Sequence, residues 1–191
     1  ADHAHSVGAL VHTDAAQAVG KISVHVDELG VDLLSMSAHK LYGPKGIGAL
    51  YVKGGTKAVP FAPMFYGGGQ EFGLRPGTLN VPSIVGFGEA AQLCAHNLGA
   101  ENCRIQRLRD EFEESLISRI PGLVINGKNT NRLPNTSSLT FPDVDADALL
   151  LNISDVMLGT GSACNSGALE PSHVLQAIGV SREAAQRTIR A

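Results

Sequence analysis

Residues 37–46 read Ser37-Ala38-His39-Lys40-Leu41-Tyr42-Gly43-Pro44-Lys45-Gly46 and follow an apolar run, residues 31–36, that has the character of a buried strand. Lysine is rarely placed in a protein interior. In open α/β sheets the carboxyl ends of the strands face the crevice that binds the ligand. A histidine and a lysine at such a strand end, closed by a glycine-proline turn, therefore predict an α/β fold in which His39 and Lys40 border a ligand site.

Two further apolar segments extend the predicted sheet. Residues 7–13 form a predicted buried strand that ends at Asp14, and residues 47–52 form a third strand bounded by glycines. Short apolar strands separated by turns or helical segments are typical of a mostly parallel sheet that is covered on both faces. The sequence therefore predicts that Asp14 and Lys40 both face the ligand crevice.

The remainder of the chain alternates between helices and short strands. Helices are predicted over residues 81–97 and 101–120, and Pro121-Gly122 ends the second of them. A smaller α+β unit follows, and its predicted elements are strands at 123–125 and 138–141 and helices that begin after Asp145, Ser172 and Ser181. We therefore predict two domains, with residues 1–121 as the C-terminal part of a large domain and residues 122–191 as part of a small domain.

Asp14 and Lys40 carry the chemistry that an enzyme dependent on pyridoxal 5'-phosphate (PLP) needs. A lysine amine forms a Schiff base with the PLP aldehyde, and a carboxylate keeps the pyridine nitrogen protonated so that the ring accepts electrons. Taken singly, Asp14 is compatible with an ordinary turn residue and Lys40 with a solvated charge. Their joint occurrence with residues 37–46 favours a PLP site.

His12-Thr13-Asp14-Ala15-Ala16-Gln17, together with residues 37–46, resembles the cofactor region of class V aminotransferases, and most closely that of cysteine desulfurases and the related selenocysteine lyases. The resemblance extends over essentially the whole chain and implies the fold type I of PLP-dependent transferases, with the large domain binding PLP. It implies that Lys40 is the Schiff-base lysine and that Asp14 pairs with the pyridine nitrogen. It also implies that Gln17 donates to the phenolic oxygen of the ring.

The same resemblance assigns the phosphate contacts. It implies that Ser37 and His39 hold the phosphate, and hydroxyl and imidazole donors suit that anion. His39 is also placed to stack near the ring or to assist proton movement. Thr78 follows a glycine-rich stretch that is by itself compatible with a plain surface loop. In the resembling family the matching residue binds phosphate across a dimer interface, which implies a homodimer with shared active sites. Arg75 lies in the same loop, and its sequence position is compatible with a contact to the phosphate or to the partner chain.

Cys164 lies in residues 159–172, a small, polar and glycine-rich run in which a cysteine is accessible. This run resembles the catalytic loop of group I cysteine desulfurases, the iron–sulfur-cluster and nitrogen-fixation type. The resemblance implies that Cys164 takes sulfur from L-cysteine as a persulfide and passes it to an acceptor or scaffold protein. It also implies that Arg190 binds the substrate carboxylate, although Arg190 is compatible with a solvated helix end as well. Cys94 and Cys103, in predicted helices, fit a structural role.

The composition argues against several classes of function. The net charge is −3 with acids and bases mixed along the 191 residues, so no nucleic-acid partner and no polybasic membrane surface are expected. No apolar run reaches the roughly 18–20 residues of a membrane span, and no signal peptide is expected. Three cysteines without paired spacing favour a reducing compartment, the cytoplasm or an organelle matrix. The histidines show no metal-ligand spacing, so no resident metal is expected, and Cys164 is the residue placed to contact a cluster.

The resembling enzymes are much longer than this chain, so we expect a fragment that lacks the N-terminal half and the C-terminal end of the whole protein. Another PLP enzyme of this fold, such as a selenocysteine lyase or an aminotransferase, would need Asp14 and Lys40 but not Cys164. A non-catalytic domain of the same fold would serve as a binding module. An incomplete chain would fold poorly and show no cooperative unfolding.

Overall fold

The computed structural model describes residues 1–160 and 172–191. Its helices are α1 (Asp2–His5), α2 (Val26–Leu29), α3 (Val81–Arg119), α4 (Ala146–Asn152), α5 (His173–Ala177) and α6 (Arg182–Gln186), and 3-10 turns cover Ala38–Leu41 and Glu71–Gly73. Its strands are β1 (His12–Asp14), β2 (Leu33–Ser37), β3 (Gly48–Val52), β4 (Val124–Ile125), β5 (Ser138–Thr140) and β6 (Thr188–Arg190). The chain divides into two compact units, Ala1–Asn102 and Cys103–Ala191.

The sheet of the first unit has the strand order β1-β2-β3. β1 and β2 are parallel, with Asp14 opposite Ser35, whereas β2 and β3 are antiparallel, with Ser37 opposite Gly48. A parallel partner needs a crossover of roughly a dozen residues or more, and the segment between β2 and β3 holds only residues 38–47. The short connection therefore reverses the chain direction. The α/β class is confirmed, and the predicted parallel character holds for the β1–β2 pair.

The predicted strand over residues 7–13 is wrong over most of its length. α1 and a turn occupy the first residues, Gly8 has a φ of +76°, and regular pairing begins only at His12. Val7 and Leu10 are exposed rather than buried. A left-handed glycine interrupts an extended run, so only the last residues of the apolar stretch join the sheet. The strand still ends at Asp14, as predicted.

A single helix, α3, replaces the two helices predicted from the sequence. Gly99 lies inside it, and an interior glycine costs about 1 kcal/mol relative to alanine, which weakens a helix without ending it. The compact units divide at Asn102, inside α3, whereas the domain boundary predicted at 121/122 lies just after its end. The assignment of a large and a small domain stays a prediction. No helix in the described part of the chain is both long and apolar enough to cross a membrane.

The second unit contains an antiparallel sheet of order β4-β5-β6, in agreement with the predicted α+β class. The buried apolar residues of its core are Ile125, Leu139, Ala146 and Ile189. α4 begins after Asp145, whose carboxylate accepts the Asp147 N–H at 3.0 Å. α6 begins after Ser181, whose hydroxyl accepts the Ala184 N–H at 3.2 Å. Both helix starts were expected from these capping residues, and α5 begins after Ser172 without a hydrogen bond from that side chain.

A buried ion pair joins α3 to the segment before β5. Glu113 is 2% exposed, and its two carboxylate oxygens accept hydrogen bonds from Arg132 at 2.8 and 3.0 Å and from the Ser137 hydroxyl at 2.7 Å. Burial acts to raise the pKa of Glu113, but the hydrogen bonds from Arg132 and Ser137 outweigh it and hold that pKa below its ordinary value. The resulting stabilisation is present above the unfolded pKa of about 4.3 and is lost as the pH falls through the lower folded pKa.

Arg132→Met is expected to lower the free energy of unfolding by about 3–5 kcal/mol, because it leaves Glu113 charged and buried without its partner. Denaturant-induced unfolding at neutral pH measures the loss. Arg107→Met is the matched control, since Arg107 is exposed on α3, the helix that also carries Glu113. The difference between Arg132→Met and the unsubstituted chain should shrink in acid, where Glu113 is neutral in both. Equal losses for the two variants would contradict this role of the ion pair.

Candidate active site

Two neighbouring strand ends position the first polar side chains. Asp14 is the last residue of β1 and lies opposite Ser35 of β2, and Ser37 ends β2 two residues later. The carboxyl ends of parallel strands meet at one edge of a sheet, so Ser37 lies about 7 Å beyond Asp14 along the strand direction, at about 3.3 Å per residue. The exposed Asp14 carboxylate accepts the Ala16 N–H at 2.9 Å, which orients it at this edge.

A short 3-10 turn, Ala38–Leu41, carries the next two side chains. The turn follows Ser37 directly, and its two apolar residues are buried, which anchors it to the interior of the first unit. The Ser37 hydroxyl and His39 Nδ1 share a hydrogen bond of 2.8 Å. His39 is exposed and Lys40 is half-buried. The anchored turn therefore presents His39 and Lys40 at the sheet edge where Asp14 ends its strand.

The loop that carries Thr78 is organised by the side chain of Gln70. Gln70 Oε1 accepts the N–H of Gly77 at 3.1 Å, directly before the exposed Thr78. A β-carbon at Gly68 would clash with the same oxygen, so any side chain there would displace Gln70. The structure thus gives Thr78 a defined place in the first unit. Its contact with the phosphate of a partner subunit stays a prediction.

Arg190 lies in β6 and not at a helix end. Its main chain pairs with Ser138 of β5 on one side and with Gly159 on the other, through N–H···O hydrogen bonds of 2.6 and 3.1 Å to and from Gly159. Gly159 is the first residue of the glycine-rich run of the sequence. The backbone bridge therefore joins Arg190, the predicted substrate-binding arginine, to the start of that run. Cys164 lies outside the described residues.

Lys21 is a further polar residue at this site that the sequence motifs did not indicate. Its half-buried ammonium donates to the main-chain oxygen of Gln17 at 3.4 Å and to that of Lys40 at 3.2 Å. Cys94 of α3 contacts the same turn, since its Sγ lies 3.8 Å from the Leu41 oxygen. This contact agrees with the structural role predicted for Cys94. The sequence signal for Lys21 is weak, because a lysine four residues after a glutamine in a turn is a common surface pattern.

The donor set at the sheet edge fits PLP. Lys40 offers the amine for the aldehyde, Asp14 the carboxylate for the pyridine nitrogen, and the exposed Gln17 an amide for the phenolic oxygen. The hydrogen-bonded pair of Ser37 and His39 offers the hydroxyl and imidazole that suit the phosphate. Among the described residues, no group of three or more histidine, cysteine, aspartate or glutamate side chains is arranged to hold a metal ion.

Known sequences place this chain in one family. The family model described as aminotransferase class-V matches residues 1–191. A cysteine desulfurase of Gluconacetobacter diazotrophicus is 49% identical over 189 residues, which are 98% of this chain and 46% of that protein. The protein named cysteine desulfurase IscS of Dictyoglomus turgidum is 50% identical over 181 residues, which are 94% of this chain and 45% of that protein. The chain spans about half the length of the curated relatives it matches.

Solved structures agree with the sequence relatives. A NifS-like protein from Rickettsia africae superimposes with a TM-score of 0.87 at 33% identity, over 99% of this chain and 49% of that chain. SspA, solved in complex with cysteine, superimposes with a TM-score of 0.78 at 38% identity, over 99% of this chain and 51% of that chain. The fold is that of PLP-dependent transferases of fold type I, as predicted. The chain belongs to the aminotransferase class-V family, whose enzymes depend on PLP.

Proposed function

We propose that this chain carries the catalytic residues of a cysteine desulfurase, which converts L-cysteine to alanine and holds the sulfur as a persulfide on Cys164. The observation that carries the proposal is the placement of Asp14 at the end of β1 and of Lys40 in the turn that directly follows the neighbouring strand β2, beside the hydrogen-bonded pair of Ser37 and His39. Relatives named cysteine desulfurase, at 49% and 50% identity, support this activity over the others of the family.

The residues of the first unit bind PLP and move the substrate proton. PLP, when bound, supplies an electron sink for negative charge at the substrate α-carbon. Asp14 keeps the pyridine nitrogen protonated, and Gln17 donates to the phenolic oxygen. The phosphate is held by side chains that carry hydroxyl or imidazole groups, namely Ser37, His39 and Thr78. Lys40 Nζ is the amine that would hold PLP through its aldehyde, and the same amine would take the α-proton of the substrate.

The residues of the second unit act on the substrate. Arg190 binds the substrate carboxylate through two parallel hydrogen bonds, for which a guanidinium is better suited than an ammonium. The Cys164 thiolate attacks the sulfur of L-cysteine and forms a sulfur–sulfur bond. The carbon–sulfur bond breaks, and its electrons stay with the substrate β-carbon. Protonation of that carbon, together with return of a proton to the α-carbon from Lys40, yields alanine. Cys164 is left as a persulfide for delivery to an acceptor.

The wider setting follows from the same proposal. Thr78 contacts the phosphate of the PLP that is bound by the partner subunit, so the protein is a homodimer with two shared sites. The sulfur passes to an acceptor or scaffold protein of iron–sulfur-cluster or thio-cofactor assembly, where Cys164 contacts the cluster components. Three cysteines without paired spacing support a location in the cytoplasm or an organelle matrix, and a relative from Encephalitozoon cuniculi is named a mitosomal cysteine desulfurase.

The proposal is tested by adding PLP and then L-cysteine to the purified chain under reducing conditions and measuring alanine and sulfide together. Equal yields of the two products are expected. Faster turnover of L-selenocysteine, with Cys164 dispensable, would assign a selenocysteine lyase instead. A chain that unfolds cooperatively but gives no visible absorbance band with PLP would be a binding module of this fold. A chain without cooperative unfolding would be an incomplete product.

Asp14→Asn is expected to slow desulfuration about 10- to 150-fold while the covalent link between PLP and Lys40 persists, because an amide cannot hold the pyridine nitrogen protonated. Steady-state sulfide release and the visible absorbance band measure the two properties separately. Asp27→Asn, which alters an exposed carboxylate in the first turn of α2, is the control. Turnover by Asp14→Asn at the unsubstituted rate would mean that another group pairs with the pyridine nitrogen.

A further inference from the structure

The half-buried Lys21 lies against the turn that carries Lys40. Its Nζ donates to the main-chain oxygen of Lys40 at 3.2 Å and to that of Gln17 at 3.4 Å. These two oxygens belong to segments that leave the sheet from different strands, since Gln17 follows β1 and Lys40 follows β2. One ammonium therefore links the two segments that carry the proposed contacts to PLP.

Close packing fixes the backbone that leads into Lys21. Gly20, with a φ of +78°, is packed so closely that a β-carbon there would lie 3.3 Å from Cys94 Sγ and 3.4 Å from Leu41 Cβ. Cys94 Sγ also lies 3.8 Å from the Leu41 oxygen. The chain at Gly20 is thus held between α3 and the 3-10 turn, and Lys21 starts from a fixed point beside the main chain of Lys40.

Lys21 occupies a position that is unfavourable for a charge. Burial lowers the pKa of its ammonium, and the charge of Lys40 lowers that pKa further, while Cys94 acts in the opposite direction. An apolar side chain of similar length would avoid both penalties. A charge kept where burial and a like charge disfavour it indicates a task at the site more than a contribution to stability.

We propose that Lys21 is a positioning residue of the PLP site, which fixes the main chain of Lys40 relative to that of Gln17. The inference rests on the proposed function, because this position of Lys40 matters only when it binds PLP. Lys21 acts through its hydrogen bonds to main-chain oxygens, and hydrogen bonds from an ionised donor are the stronger kind. A displacement of Lys40 by even about 1 Å would move its amine away from the geometry needed for reaction with the aldehyde.

The first experiment measures which lysine is covalently attached to PLP. The chain has six lysines, and borohydride traps PLP on each lysine it has joined, so peptide mass spectrometry gives the label on Lys40 relative to the exposed Lys57. In Lys21→Met this ratio is expected to fall about tenfold, the scale of one hydrogen bond from a charged group. Lys21→Arg keeps the charge and the donors and should restore most of the ratio. Lys53→Met removes another exposed lysine and should leave it unchanged.

The second experiment needs no PLP. The N–H of Gly43 donates to the Ala38 oxygen at 2.9 Å, so its hydrogen exchange reports on the turn itself. Faster exchange in Lys21→Met and normal exchange in Lys21→Arg support the positioning role. If that result accompanies a chain that takes up no PLP, the proposed function fails for this chain and the role of Lys21 in the turn stands. Unchanged exchange, or an unchanged labelling ratio with only a lower thermal midpoint, overturns the proposal.

Discussion

Lys40→Ala abolishes the covalent attachment of PLP and lowers desulfuration of L-cysteine by about 100- to 10,000-fold through loss of the general base alone. The substitution removes both the amine that joins the aldehyde and the group that takes the α-proton, so the two losses occur together. The absorbance spectrum after addition of PLP measures the first loss, and sulfide release measures the second. We expect both signals to vanish in the same variant.

The control for Lys40→Ala is Lys57→Ala, which removes an exposed lysine of the same unit. Far-ultraviolet circular dichroism should be unchanged in both variants, because the turn is anchored by buried Ala38 and Leu41 and not by the lysine side chain. Suppose that the Lys40→Ala chain kept its visible band and its turnover, and that borohydride trapped PLP on another lysine. That lysine, and not Lys40, would then be the cofactor lysine.

Cys164→Ser keeps the visible band of bound PLP but lowers sulfide release by about 1000-fold or more, the scale seen when a nucleophile is removed. A serine oxygen cannot accept sulfur as a persulfide, whereas the residues that bind PLP are untouched. Mass spectrometry of the chain after one turnover with L-cysteine should find one added sulfur on the unsubstituted chain and none on the variant.

Cys103→Ser is the matched control, since Cys103 is a free and exposed cysteine on α3. It should retain both the PLP band and sulfide release. If Cys164→Ser turned over L-cysteine as fast as Cys103→Ser, the persulfide would have to form elsewhere, and the assignment of Cys164 would be wrong. If only Cys103→Ser lost activity, the sulfur acceptor would lie on α3.

Short sequence patterns, such as apolar runs and helix-capping residues, predicted the strands and helix starts that depend on local sequence alone. The apolar run before Ser37 gave β2, and the side chains of Asp145 and Ser181 gave the starts of α4 and α6. The run at residues 7–13 failed because periodicity does not tell whether apolar residues are covered, and Val7 is 74% exposed. The antiparallel direction of β3 could have been predicted from the sequence, because the connection of residues 38–47 is too short for a parallel crossover.

The residues of the candidate site also fall into those that the sequence predicted and those that it did not. Asp14 and Lys40 were predicted because strand ends and residue chemistry are visible in the sequence. Lys21 was not, since it acts through main-chain oxygens, and such contacts leave no pattern of side-chain types. The role of Arg190 was predicted without its strand, because its pairing with Gly159 depends on residues far apart in the sequence. The roles of all these residues stay predictions, as do those of Thr78 toward a partner chain and of Cys164.

The buried ion pair of Glu113 constrains how this sequence can change during evolution. Loss of Arg132 or Ser137 alone leaves a polar group without its partner in the interior of the second unit, which is costly. Replacement of all three by apolar side chains of similar volume is often neutral or stabilising. A change from the polar set to the apolar set passes through less stable single substitutions, so we expect related sequences to keep the three residues together or to exchange them as a set.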